Sequence, residues 1–204
     1  RNDMSAGALA EKYYGFGINV PDFAYIGITD GVGAGIISGG ELFQSNSGFA
    51  GEFGHMTIDY DGPQCNCGNF GCIEMYASGR NIIKTVSREC NAQLKTIEEV
   101  NDFCAKNEHG MKVLLGIMDR LAIAITGLVN IVDPSRVIIG GAGSALSMSL
   151  FKYVEDEVNR SILARENKTI TIYKAKFGEQ ANVIGSATIV ADMIFPNPLK
   201  VLNV

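Results

Sequence analysis

Proline is scarce in this chain, with 5 among 204 residues, while glycine reaches 24. Few prolines and many glycines exclude a proline-rich linker and point to tight turns and close backbone approaches. Charge is also sparse, at 19% of residues with a net of −5, and no stripe of lysine or arginine runs along the chain. These residues are therefore not a surface for gripping DNA on their own. No uninterrupted apolar run reaches membrane-spanning length. The longest, 113–132, is broken by Asp119 and Arg120 and reads as a buried helix. There is no secretory signal, internal repeat or low-complexity tract. The opening RNDMSAG has no initiator methionine, so the expectation is a piece of a longer protein.

What is present suits a packed domain, with 47% hydrophobic residues. Residues 3–14 read as a helix, with Asn2 and Asp3 placed to cap it and Gly15 to end it. Residues 23–28 read as a strand, and the glycines of TDGVGAGIISGGELF as a hairpin. Residues 42–78 read as irregular. Helices are expected over 79–91, 96–107 and 111–132, the last stopping before Asp133–Pro134. VIIGGAG at 137–143 reads as a buried strand running into a glycine-rich turn. A helix over 146–164, a strand over 169–175 and a helix over 178–195 complete an α/β domain.

Histidine is the rarest titratable residue, with 2 in all, and cysteine numbers 5. One histidine and three cysteines fall together, spaced His55-x9-Cys65-x-Cys67-x4-Cys72. One imidazole and three thiolates make a tetrahedral structural zinc site. Gly62, Pro63, Gly68 and Gly71 let the backbone fold around it. Three cysteines leave one unpaired, and a chain without a secretion signal reads as cytosolic, so disulfides fit poorly. Cys90 and Cys104 read as small core residues and His109 as a solvated helix end. Glu52 and Glu74 bracket the cluster. Ionised carboxylates on a rigid loop accept several hydrogen bonds and suit a hydroxyl-rich ligand. Composition alone equally allows loop solubility or capping. His55 would serve twice, with one ring nitrogen on zinc and the other meeting a ligand hydroxyl.

The stretch GFAGEFGHMTIDYDGPQCNCGNFGCIEMYAS, from Gly48 to Ser78, resembles the signature of the ROK family of repressors, open reading frames and kinases. RNDMSAGALAE resembles that family's Asn-Asp segment, GVGAGI its second phosphate-loop segment, DPSRVIIGGAG its segment near the nucleotide base and ANVIGSATI its C-terminal helix. The resemblance spans 1–204 as a C-terminal ROK domain whose N-terminal part lies outside this chain. It implies the actin-like ATPase, ribonuclease-H-like α/β fold of sugar kinases, with a zinc-bound loop. It further implies sugar contacts at Asn2, Asp3, Glu52, His55 and Glu74, and zinc ligands at His55, Cys65, Cys67 and Cys72. In kinase members the residue matching Asp3 is the general base of transfer from MgATP. From the residues alone, Asp3 is a helix cap.

Regulator and kinase are separated at ITDGVGAG, residues 28–35. Family kinases carry Gly-Thr before a Gly-x-Gly-x-Gly run, whereas here the pair is Thr29–Asp30, ahead of the phosphate-loop-like Gly31, Gly33 and Gly35. A phosphate cradle works through backbone N–H groups. Two like charges about 4 Å apart cost on the order of 4 kcal/mol at an effective dielectric near 20. Asp30 can also hold magnesium or face solvent. The stretch SGFAGEFGHMTIDYDGP resembles the xylose-repressor-like branch. The expectation is therefore the monosaccharide-binding portion of a cytoplasmic repressor. It would reach DNA through an N-terminal helix-turn-helix outside this chain, assemble as a homodimer or homotetramer, and make no membrane contact. The alternatives are an ATP-dependent sugar kinase and a zinc-stabilised interaction protein.

Overall fold

The computed structural model describes residues 3–45 and 48–194. Asn2 lies outside them. One five-stranded sheet forms the centre, built from β1 (Phe23–Ile28), β2 (Val32–Ser38), β3 (Glu41–Leu42), β4 (Arg136–Gly141) and β5 (Thr171–Lys174). The spatial order is β3-β2-β1-β4-β5. β1 runs antiparallel to β2 and parallel to β4, which is parallel to β5. The expected hairpin within 29–43 is the β2–β3 pair, β1 adds a second antiparallel pairing to β2, and helical crossovers supply the parallel half.

Both sheet faces are covered, and alternation along each strand divides the core. Ala24, Ile26 and Ile28 of β1, with Val137 and Ile139 of β4, enter the larger cluster. Phe23, Tyr25 and Ile138 enter the smaller one, where Ala8 and Leu9 of α1 (Asp3–Tyr14) pack. On the larger side lie α2 (Glu74–Ala77), α3 (Gly79–Glu89), α4 (Ile97–Cys104), α5 (Glu108–Val132) and α6 (Met148–Ser161). The last helix, α7 (Ala181–Ile194), lies against α1, with Gly185 in contact with the Ala6 carbonyl. α5 has the length and composition of a membrane-crossing helix. Leu114, Met118, Leu121 and Ile125 are nevertheless wholly buried in the larger cluster.

Sequence expectation and structure differ over residues 42–78 and at element ends, where 96–107 is Ile97–Cys104, 146–164 is Met148–Ser161, 169–175 is Thr171–Lys174 and 178–195 is Ala181–Ile194. Residues 42–78 hold a 3-10 turn (Phe53–His55) and the four-residue α2. Elements this short carry no periodicity. Helix α5 begins at Glu108 rather than 111, because the Asn107 side chain accepts from Gly110 N–H and caps it. His109 is exposed in that first turn and its Nε2 lies 3.2 Å from the Glu89 carbonyl. Asp133 ends α5 in a left-handed conformation, φ 53°, directly before Pro134.

Two side-chain devices fix the outer elements. Helix α6 seals the free edge of β5. Asn159 Nδ2 donates to the Ile170 carbonyl at 2.8 Å, its Oδ1 accepts from Ile170 N–H at 2.7 Å, and Glu155 Oε2 accepts from Ile172 N–H at 2.9 Å. On the other face Glu11 is fully buried. Its carboxylate accepts from Phe16 N–H at 2.9 Å and Lys176 N–H at 2.8 Å, tying α1 to the end of β5. Burial raises its pKa above the ordinary 4.5, against the lowering effect of these N–H donors.

Replacing Glu11 by Ala leaves two backbone donors unpaired and is expected to cost about 2–5 kcal/mol in urea unfolding. The raised folded pKa means that the folded chain binds this proton more tightly than the unfolded chain. The titration contribution is fully present below pH 4.5 and is lost as pH rises through the raised folded value. The wild-type advantage over Glu11→Ala should accordingly be larger at acid pH.

Candidate functional site

The site is built around the β1–β2 turn. Met4 covers Gly33, where a Cβ would lie 2.8 Å from Met4 Cγ, and a Cβ on Gly35 would lie 2.3 Å from the Met4 carbonyl. Close approach of α1 to β2 thus accounts for glycine at 33 and 35, independently of any phosphate. This approach sets Asp3, exposed at the start of α1, at the same end of the sheet as the exposed Asp30. Both line a cleft of about 1400 Å³ that also reaches Arg80, Lys84 and Lys95.

The turn itself is held from two sides. Gly79 N–H, at the start of α3, donates to the Thr29 carbonyl at 2.7 Å. Glu74, at the start of α2, accepts from Val32 N–H at 3.0 Å through Oε2. A Cβ on Gly31 would lie 2.7 Å from that oxygen. Gly31 N–H faces Thr29 Oγ1 at 3.4 Å. Glu74 therefore answers a backbone donor of the very turn read from sequence as phosphate-loop-like.

The cysteine cluster lies directly before α2. Ile73 N–H donates to the Met56 carbonyl and Ile58 N–H to the Gly71 carbonyl, both at 2.9 Å, so the loop closes on itself. Gly71 has φ 61°, and a Cβ there would fall 1.6 Å from the Asp59 carbonyl oxygen. Tyr76 donates to Asp59 at 2.9 Å, and the Arg120 guanidinium of α5 stands 4.8 Å from the Tyr76 ring centre. This closure brings the ligand atoms of His55, Cys65, Cys67 and Cys72 within 4.8 Å of one another. Cys65 Sγ to His55 Nδ1 and Cys67 Sγ to Cys72 Sγ are each 3.6 Å. A tetrahedron with metal–sulfur bonds of about 2.3 Å has edges of about 3.8 Å, so the four atoms fit one metal ion. The Asn69 N–H holds Cys67 below its ordinary value, while burial and the neighbouring thiols push Cys72 up to about 12. A metal ion bound among the three thiols would lower all three and hold them as thiolates.

The other ring nitrogen of His55 faces Glu52. His55 Nε2 stands 3.9 Å from Glu52 Oε2, and both side chains are partly exposed. The structure thus brings Glu52, His55 and the four-residue cluster together and sets Glu74 between cluster and turn. Asp3 lies on the cleft, while Asn2 falls outside the described residues. Cys104 is buried and Cys90 half-buried, both in the larger core. The residues missed from sequence are Tyr76 and Arg120. Their signal, an aromatic two positions after Glu74 and an arginine interrupting an apolar helix, is too common to stand out.

The sheet order, the turn over the cleft and the covering helices are those of an actin-like, ribonuclease-H-like α/β fold. The match to the ROK family extends over residues 1–193, and the chain belongs to that family. It is 32% identical to the xylose repressor of Caldicellulosiruptor bescii, covering 96% of this chain and 53% of that one. Among solved structures, a ROK family transcriptional regulator homologous to the Mlc protein of E. coli superposes with TM-score 0.80 at 30% identity, covering 92% of this chain and 50% of that one. A ROK glucokinase from Streptomyces griseus, in complex with glucose and AMPPNP, superposes with TM-score 0.83 at 25% identity, covering 93% and 66%. The chain spans about half the length of the curated repressors it matches.

Gly71→Ala places a Cβ against a backbone oxygen in a left-handed conformation. It should destabilise the loop by about 3 kcal/mol or more. Thermal unfolding checks this, and near-wild-type stability would disprove the tight closure.

Proposed function

We propose that this chain is the effector-binding portion of a sugar-responsive transcription repressor. The observation that carries the reading is the β1–β2 turn. Its Val32 N–H is taken by the Glu74 carboxylate, and Asp30 faces the cleft beside it. Two carboxylates at a turn repel the phosphates that a kinase loop must hold. Similarity to xylose repressors supports the same reading.

A monosaccharide would bind at Glu52, His55 and Glu74, with Asn2 and Asp3 contributing from the helix start. His55 Nε2 would donate to a hydroxyl whose proton goes to Glu52 across the 3.9 Å gap. The Glu74 oxygen that does not bond Val32 would accept another. Zinc, held by His55 Nδ1, Cys65, Cys67 and Cys72, would fix the imidazole and stiffen the loop. DNA contact would come from a helix-turn-helix outside these residues, in a cytoplasmic homodimer or homotetramer. Sugar binding would alter operator affinity by shifting the subunits.

A second reading, a sugar kinase using MgATP, is favoured by Asp3, which opens on the cleft where a general base would stand. Gly31, Gly33 and Gly35 would then take the phosphate-loop role.

Full-length protein should bind the promoter region beside its own gene, with affinity that changes on adding a monosaccharide. Failure of both, together with MgATP-dependent sugar phosphorylation abolished by Asp3→Asn, would establish the kinase instead. Elemental analysis should find about one zinc per chain, and Cys72→Ser should lose it. Glu74→Gln should weaken sugar binding about tenfold by isothermal titration while keeping the metal. Release of zinc by that variant would make Glu74 a support of the loop only.

A further inference from the structure

Helix α2 carries the Glu74 carboxylate to the β1–β2 turn, yet it is only four residues long. A single turn has little stability of its own, since helices shorter than about a dozen residues are marginal without packing. No side chain caps its start. The direction in which Glu74 points is therefore set by what α2 is fastened to. Ile73 and Ala77 are wholly buried, and Asn81 of α3 donates to the Glu74 carbonyl at 2.8 Å. The fastening to the metal loop is Tyr76.

The Tyr76 hydroxyl donates to Asp59 Oδ2 at 2.9 Å. Burial and that carboxylate both raise the phenol's pKa above its ordinary 10, which keeps it a donor. The loop is shaped for this contact. A Cβ on Gly62 would fall 2.2 Å from the Tyr76 hydroxyl oxygen, and Gly62 N–H donates to the Asp59 carbonyl at 3.0 Å. Gly62 thus leaves the room that the hydroxyl needs, in the same turn that presents Asp59 to it. Arg120 of α5 holds the ring. Its Nη1 donates to the Gly116 carbonyl at 2.9 Å, and its guanidinium stands 4.8 Å from the ring centre. One side chain therefore joins the metal loop, the turn of helix that carries Glu74, and the long helix of the core.

We propose that Tyr76 is a positioning residue for Glu74. Held between Asp59 and Arg120, it sets the rotation of α2 and so the aim of a carboxylate whose one oxygen meets Val32 and whose other is offered to a sugar hydroxyl. The inference rests on the reading of Glu74 as a sugar ligand. It gives the metal loop a route to the sugar besides His55, since Asp59 belongs to the loop that the cluster closes.

The test uses full-length protein. Tyr76→Phe keeps the ring and its Arg120 contact and removes only the donor. It should retain about one zinc per chain by elemental analysis. Affinity for D-xylose or D-glucose should fall about fivefold in isothermal titration, and hydrogen exchange at the Val32 amide should speed up about fivefold. Asp59→Ala should match it, and the double variant should be no worse than either, because both remove the same bond. Asp59→Asn, which keeps an acceptor oxygen, should recover most of the affinity. A role in loop folding alone would lower zinc content or the melting temperature and leave Val32 exchange and sugar affinity at wild-type values. That result, or wild-type behaviour of Tyr76→Phe throughout, overturns the proposal. If the wild-type protein binds neither sugar, the reading of Glu74 as a sugar ligand fails, while Val32 exchange still decides whether Tyr76 aims the carboxylate.

Discussion

A single hydrogen bond, from Val32 N–H to the Glu74 carboxylate, joins the two halves of the site. On one side of it is the cysteine cluster, two residues before Glu74. On the other is the β1–β2 turn that ends the central strands. Space for this carboxylate exists because residue 31 is glycine, whose Cβ would come within 2.7 Å of Oε2. The loop, the short helix α2 and the turn are therefore tied to one another, with the Ala34 N–H to Gly51 carbonyl bond as a second link. Anything that orders the cluster orders the floor of the cleft, and the reverse holds by linkage.

The same bond changes what the glycine run means. A Gly-x-Gly-x-Gly pattern beside a strand invites a phosphate reading. Two of its glycines are explained by α1 lying directly on β2, and the third by the Glu74 carboxylate lying over it. The pattern thus reports a helix–strand approach that any ligand chemistry would have to share. Charge, unlike glycine, is specific here. Asp30 and Glu74 stand at the turn, and Arg80 and Lys84 lie exposed on α3.

Most of the architecture was legible because its elements are long. The strand at 23–28, the hairpin after it and the helix over the apolar run at 113–132 stand where periodicity placed them. The cysteine spacing pointed to a cluster, and the four ligand atoms do converge. The stretch 42–78 was legible only as ligands, since its order comes from contacts such as Ile73 with Met56 that no local pattern encodes. Gly110 lies in the first turn of α5. It packs against Phe103 with about the room of a missing methyl. The bond between Glu74 and Val32, 42 residues apart, leaves no trace in either segment.

The seal along β5 has a consequence for how copies of this protein can meet. The side chains of Asn159 and Glu155 occupy the N–H groups of Ile170 and Ile172 and the Ile170 carbonyl at this edge, and β3 at the far edge is only two residues long. Neither margin offers a template onto which a foreign strand could zip. Growth of the sheet from chain to chain, the route toward fibrils, is closed at both ends. Contacts between copies are left to helices and loops, whose side chains choose their partners.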